Sequence, residues 1–119
     1  MTLKDCYAAL CGDYEDVIAR LRSESLVKKF VLKFPEDKSY ALLCASLETG
    51  NVQEAFRAAH TIKGMCQNLS FTGLADAASA MTEALRIGDL EAGKALLDTV
   101  RGNYERTAEA IRAFQDSLG

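Results

Sequence analysis

Apolar positions along this chain recur at alternating steps of three and four, and no stretch alternates with period two, so the pattern predicts helices and no strands. Breaks in the pattern place short helices near residues 2 to 11, 13 to 21 and 24 to 34. Longer ones follow near 38 to 49, 51 to 69, 72 to 86 and 89 to 116. Three glycines stand directly before a good capping residue, at Gly12-Asp13, Gly50-Asn51 and Gly88-Asp89. Glycine tolerates the left-handed conformation that closes one helix, and Asp or Asn accepts from the free amides that open the next. Glu54 lies three residues after Asn51, the spacing of a capping box.

The last four segments carry continuous apolar seams: Tyr40, Leu43, Leu47; then Val52, Ala55, Ala59, Ile62, Cys66, Leu69; then Leu74, Ala78, Met81, Leu85; then Leu97, Val100, Tyr104, Ala108, Ile111, Phe114. Seamed helices joined by very short loops fold back on one another. The expected fold is therefore all-α, an antiparallel up-down-up-down four-helix bundle over residues 37–119. The short helices of residues 1–36 form an N-terminal extension packed on it. The similar Gly-Asp and Gly-Asn pairs also raise a helical-repeat solenoid. The helices they open are too unequal to stack regularly: the one after Asn51 is long, and the one after Asp89 is expected to continue unbroken toward the end.

Composition narrows the classes. A length of 119 residues suits one domain with a real core. The 49% hydrophobic and 26% charged content is that of an ordinary globule, which excludes a disordered chain. A net charge of −3 argues against nucleic acid as partner. The one dense basic stretch, Lys28, Lys29 and Lys33, interleaves with Phe30, Val31 and Leu32 and reads as the wet side of an amphipathic helix. No apolar run approaches the roughly 18 residues of a membrane span. The start, Met1-Thr2-Leu3-Lys4-Asp5-Cys6, has neither a signal-peptide core nor a myristoylation glycine. A free-standing, monomeric, cytoplasmic protein is expected. Cys6, Cys11, Cys44 and Cys66 form no C-x-x-C pair, and Cys44 and Cys66 fall inside apolar patterns as small buried residues of a reducing compartment.

The 51 to 69 segment holds the only histidine, His60. At about 100° per residue, its apolar stripe centres some 130° away from His60. Gln53, Phe56, Lys63, Gly64 and Gln67 share the His60 side, at helical spacings that gather them into one patch. His60 is thus predicted to be exposed in mid-helix with a cation and a glycine one turn on. An exposed imidazole offers a neutral ring nitrogen as nucleophile near neutral pH. Lys63 can compensate phosphoryl charge. Gly64 costs roughly 1 kcal/mol against alanine in a helix interior, and removing a side chain there lets a partner or a phosphoryl group approach closely. Periodicity alone leaves bland readings open: an idle surface histidine, a solvated lysine, a glycine that eases helix packing.

Ala59-His60-Thr61-Ile62-Lys63-Gly64 resembles the signature of the histidine-containing phosphotransfer (HPt) domain family, in which an apolar residue, lysine and glycine follow the histidine at two, three and four. The likeness extends through Leu69 and the next helix, and the bundle with its short N-terminal helices fits the family over most of the chain. One departure is visible: Ser70 stands where the family commonly has glycine, which bears on the tightness of the turn.

The resemblance implies a phosphorelay carrier. His60 would take a phosphoryl group from the aspartate of a receiver domain through Nε2 and pass it to another receiver, with Lys63 stabilising the group and Gly64 allowing approach. Response-regulator receivers and a hybrid sensor kinase would be the partners. The domain would be no enzyme and need no cofactor, because the Mg²⁺ site belongs to the receiver. Gln53, Phe56, Gln67 and Phe71 are expected around the histidine as a docking surface. Thr82 or Glu83 on the following helix would orient the imidazole through its other nitrogen. Two other classes compete. A helical interaction module without phosphorylation would be indifferent to loss of the imidazole. A metal- or thiol-dependent enzyme lacks the Glu-x-x-His ligand pairs of di-metal bundles and any Cys/His nucleophile pair.

Overall fold

Capping chemistry sets where helices begin. The computed structural model describes all 119 residues, and its regular elements are all helical: α1 (Leu3–Ala9), α2 (Tyr14–Leu21), α3 (Glu24–Lys33), α4 (Ser39–Thr49), α5 (Val52–Asn68), α6 (Thr72–Arg86), α7 (Leu90–Ala95) and α8 (Leu97–Leu118). A single 3₁₀ turn, Phe34–Glu36, precedes α4. The side chains of Thr2, Asp13, Ser23, Asn51 and Asp89 each accept from a backbone amide in the turn that follows. Each such cap contributes about 1 kcal/mol.

Helix ends depart from expectation at one glycine. Gly50 (φ 77°) and Gly88 (φ 79°) take the left-handed conformation, but at the end of α1 it is Cys11 that does so, with φ 61°. Gly12 serves a different need. A Cβ there would lie 2.7 Å from the Tyr7 ring and 2.9 Å from the Ser70 carbonyl oxygen, so only a bare Cα fits.

The expected unbroken helix from 89 to 116 is interrupted at Leu96, between α7 and α8. Leu96 keeps near-helical angles (φ −86°, ψ −8°), and its amide is shared between the carbonyls of Ala92 and Gly93. The break is a kink rather than a loop. Gly93 is buried, and a Cβ on it would lie 2.7 Å from Leu85 Cδ2, so α7 seats close against the end of α6 before α8 sets off.

Contacts give the directions of the bundle helices. Tyr40 near the start of α4 stacks on Tyr104 of α8 with ring centroids 3.9 Å apart, while Leu47 near its end closes on Gly93. Gly73 at the start of α6 meets Asn103 and Arg106, and Leu85 at its end meets Gly93. Both helices therefore run opposite to the α7–α8 arm, and short turns reverse α4 into α5 and α5 into α6. One apolar core runs through the molecule from Leu3 to Phe114 and takes Val17, Val27 and Val31 from the N-terminal helices. Those helices cover the end where α5 turns into α6. The buried Tyr7 hydroxyl donates to the Leu69 carbonyl at 2.7 Å, and the Cys6 thiol lies 3.6 Å from the Ala110 carbonyl oxygen.

The cysteines divide by burial. Cys6 and Cys66 are buried, and desolvation pushes their thiols up to about 11 and about 12. Cys44, expected inside, is only half-buried, because it sits at the edge of the α4 seam; Cys11 is exposed. Iodoacetamide should label Cys11 first, Cys44 more slowly, and Cys6 and Cys66 only after denaturation, as read by peptide mass spectrometry. Native-state labelling of Cys66 would contradict this packing.

Candidate functional site

α5 is pinned at both ends. Asn51 accepts from the Glu54 amide at 3.1 Å at its start. At its finish the Ser70 amide bonds the Gln67 carbonyl and the Phe71 amide bonds the Cys66 carbonyl, the paired bonds of a Schellman turn. Ser70 occupies the left-handed position with φ 55°. The turn is as tight as glycine would make it, at a backbone cost of roughly 1–2 kcal/mol.

What offsets that cost is side-chain chemistry that glycine lacks. Ser70 Oγ donates to Asp16 at 2.6 Å and accepts from Arg20 at 2.7 Å. Arg20 also donates to the carbonyls of Gln67 and Asn68, at 2.9 and 2.6 Å, neutralising the negative end of α5. The hydrogen bond from Ser70, and then the one from Arg20, hold the Asp16 carboxyl below its ordinary range. This network ties α2 to the end of the histidine helix.

Between these anchors, Ala55, Ala59, Ile62, Cys66 and Leu69 are buried, together with Ala58. His60, Gln53, Gly64 and Gln67 are exposed, and Phe56 and Lys63 are half-buried at the margins of the stripe. A Cβ on Gly64 would meet nothing within 4 Å. Lys63 makes no ion pair. His60 lies in none of the depressions on the surface. It stands on an open face of α5.

Two expectations about this site are overturned. Phe71 is fully buried, with its ring 5.6 Å from Tyr7 and 5.2 Å from Phe34, so it belongs to the core and not to a docking surface. Thr82 is also fully buried, and its hydroxyl donates to the Ala78 carbonyl at 2.7 Å, one turn back along α6. Buried on the core side of α6, it does not reach the exposed imidazole. Glu83 is exposed, but its carboxylate lies 3.5 Å from Arg86 Nε and makes no bond to His60. No protein group hydrogen-bonds either ring nitrogen of His60.

The imidazole instead lies parallel to the Phe56 ring, with centroids 5.8 Å apart and an interplanar angle of 8°. The Arg86 guanidinium sits 5.0 Å from the Phe56 centroid. Arg86 was not expected here. The signal for it was the hairpin register: Phe56 and Arg86 stand equally far from Phe71 at the turn, so an antiparallel α5–α6 pair brings them level. Beyond Phe56, a cleft of about 590 Å³ opens between the start of α5 and the end of α6, lined by Val52, Gln53, Phe56, Arg57, Leu85, Arg86 and Gly88.

No group of three or more His, Cys, Asp or Glu side chains gathers anywhere in a metal-binding arrangement. No helix is long and apolar enough to cross a membrane. Among known proteins, the family model for the Hpt domain matches residues 7–113, nearly the whole chain. No curated protein and no solved structure matches it.

Proposed function

The chain belongs to the Hpt domain family, and on that premise we propose that His60 is the phosphoryl-carrying residue of a two-component phosphorelay. The observation that carries the reading is that the only histidine is exposed in mid-helix on an open face, with Lys63 and Gly64 one turn away. Hpt domains are phosphocarriers rather than catalysts, and an exposed imidazole without a surrounding pocket suits that role. A ring nitrogen, Nε2 in this reading, attacks the phosphorus of a receiver's aspartyl phosphate. The N–P bond forms as the acyl O–P bond breaks, and the aspartate leaves as carboxylate. Delivery to a second receiver runs the same exchange in reverse. Lys63 offsets charge on the phosphoryl oxygens during both passages. In this reading the Mg²⁺ that the exchange needs is supplied by the receiver.

In this reading the partners are receiver domains and a hybrid sensor kinase, met transiently by a monomer in the cytoplasm. Gln53, Phe56 and Gln67 remain as docking residues around the histidine. The test is incubation with a panel of phosphorylated receivers, followed by peptide mapping of the transferred label. Acid-labile label on the His60 peptide is the expected result. Absence of label, or label elsewhere, would overturn the reading.

Gly64 supplies a second test. Alanine at this helix-interior site meets no neighbour, so Gly64→Ala should stabilise the fold by about 1 kcal/mol. It should nonetheless slow transfer by on the order of tenfold, because the added methyl displaces the partner's reacting group. Gly102 in α8 is equally exposed and unobstructed. Gly102→Ala should give the same gain in thermal stability with an unchanged transfer rate. Equal rates in both variants would refute the close-approach role.

A further inference from the structure

An exposed histidine that serves as nucleophile needs its ring held, because a freely turning imidazole presents the reacting nitrogen only part of the time. Hydrogen bonding is the usual means, and here it is missing. Thr82 is buried, with its hydroxyl bonded to the Ala78 carbonyl, and the Glu83 carboxylate lies beside Arg86. The aromatic ring found against the imidazole is Phe56, one turn before it on the same helix and parallel to within 8°. Phe56 is itself restrained. It is half-buried against the core, and the Arg86 guanidinium lies over its ring at 5.0 Å. Arg86 is in turn steadied by Glu83 at 3.5 Å. A chain of contacts thus runs from α6 to the imidazole: Glu83, Arg86, Phe56, His60.

We infer that Phe56 is a positioning residue that holds the His60 ring by stacking, and that Arg86 holds Phe56 in turn. The inference rests on the phosphocarrier reading and gives Phe56 a role beyond docking. Stacking restricts rotation of the imidazole about its Cβ–Cγ bond while leaving both nitrogens free of protein partners. Both nitrogens therefore stay open to the phosphoryl donor. The two restraints come from different helices, so the ring orientation depends on the α5–α6 pairing as well as on the local helix.

The experiment measures transfer from a phosphorylated receiver at varied receiver concentration, for wild type, Phe56→Leu, Phe56→Tyr and Arg86→Ala. Circular dichroism is recorded to show that each variant is folded. Leucine keeps apolar bulk and removes the flat face; tyrosine restores the face. Phe56→Leu should lower the saturating rate about threefold to tenfold, the range an aromatic pair can supply, beyond any weakening of docking that raises half-saturation. Phe56→Tyr should recover the wild-type rate, and Arg86→Ala should fall between. In proton NMR, the His60 ring protons should lose their nuclear Overhauser contacts to the Phe56 ring in Phe56→Leu and regain them to the Tyr ring in Phe56→Tyr. A rate in Phe56→Leu equal to wild type, or a change confined to half-saturation, would overturn the positioning role, the latter pointing to docking alone. Failure of the wild type to accept label would instead sink the phosphocarrier reading and this one with it.

Discussion

Replacing His60 with glutamine is expected to abolish phosphoryl acceptance while leaving the fold intact. The chain has one histidine, so no neighbour can take over as nucleophile, and an amide nitrogen has no lone pair available for attack. The side chain is exposed, hydrogen-bonds no protein group and touches the fold through its stack with Phe56. Glutamine is at least as good a helix former as histidine. Surface changes of this kind shift stability by within about 0.5 kcal/mol. The measurement is labelling by a phosphorylated receiver beside a thermal melt followed by circular dichroism. Label below detection with an unchanged melt is the expected pair of results. A labelled variant would mean that the phosphoryl group enters elsewhere, and a collapsed melt would mean that His60 is structural.

Phe71→Ala should produce the largest loss of stability of any substitution considered, at about 3–5 kcal/mol. Phe71 is fully buried in the turn between α5 and α6, edge-on to Phe34 and tilted against Tyr7. Truncation empties the point where the N-terminal helices meet the bundle. The neighbours cannot easily close the gap, since Tyr7 is tied by its hydroxyl to the Leu69 carbonyl. Against the 5–15 kcal/mol typical of a whole domain, this loss is a large fraction of the total stability. Urea denaturation should show a midpoint shift at nearly constant slope. Transfer per folded molecule should be unchanged at low temperature, because Phe71 does not reach the face that carries His60. A transfer defect without loss of stability would restore Phe71 to the docking surface from which its burial removes it.

Several features were legible without coordinates because they are local. A helix repeats every 3.6 residues, so the burial of Ala55, Ala59, Ile62 and Cys66 already placed His60 outward. The caps at Asp13, Asn51 and Asp89 formed, since a capping side chain reaches only the amides of its own first turn, although Glu54 pairs with Arg57 rather than closing a capping box with Asn51. The Ala59 to Gly64 motif carried the family resemblance for the same reason: its six residues are contiguous. Where the reading failed, what decided the outcome was how one helix is rotated against another. Thr82 or Glu83 was expected to orient the imidazole from its position on the next helix. Rotation of α6 turned Thr82 into the core and left Glu83 beside Arg86.

The same division holds across the molecule. By itself the amino-acid sequence determined that the chain is helical, where most helices begin and end, and that its one histidine lies opposite an apolar stripe. Each of these depends on periodicity and on groups within a turn or two. Only the tertiary structure decided that Phe71 is core, that Gly12 is needed for space and not for a left-handed turn, and that the 89 to 116 segment kinks at Leu96. It alone placed Arg86 over Phe56 beside His60. These outcomes depend on the rotation and register of one helix against another. Those are set by the packing of side chains brought together from distant parts of the chain, which no local pattern records.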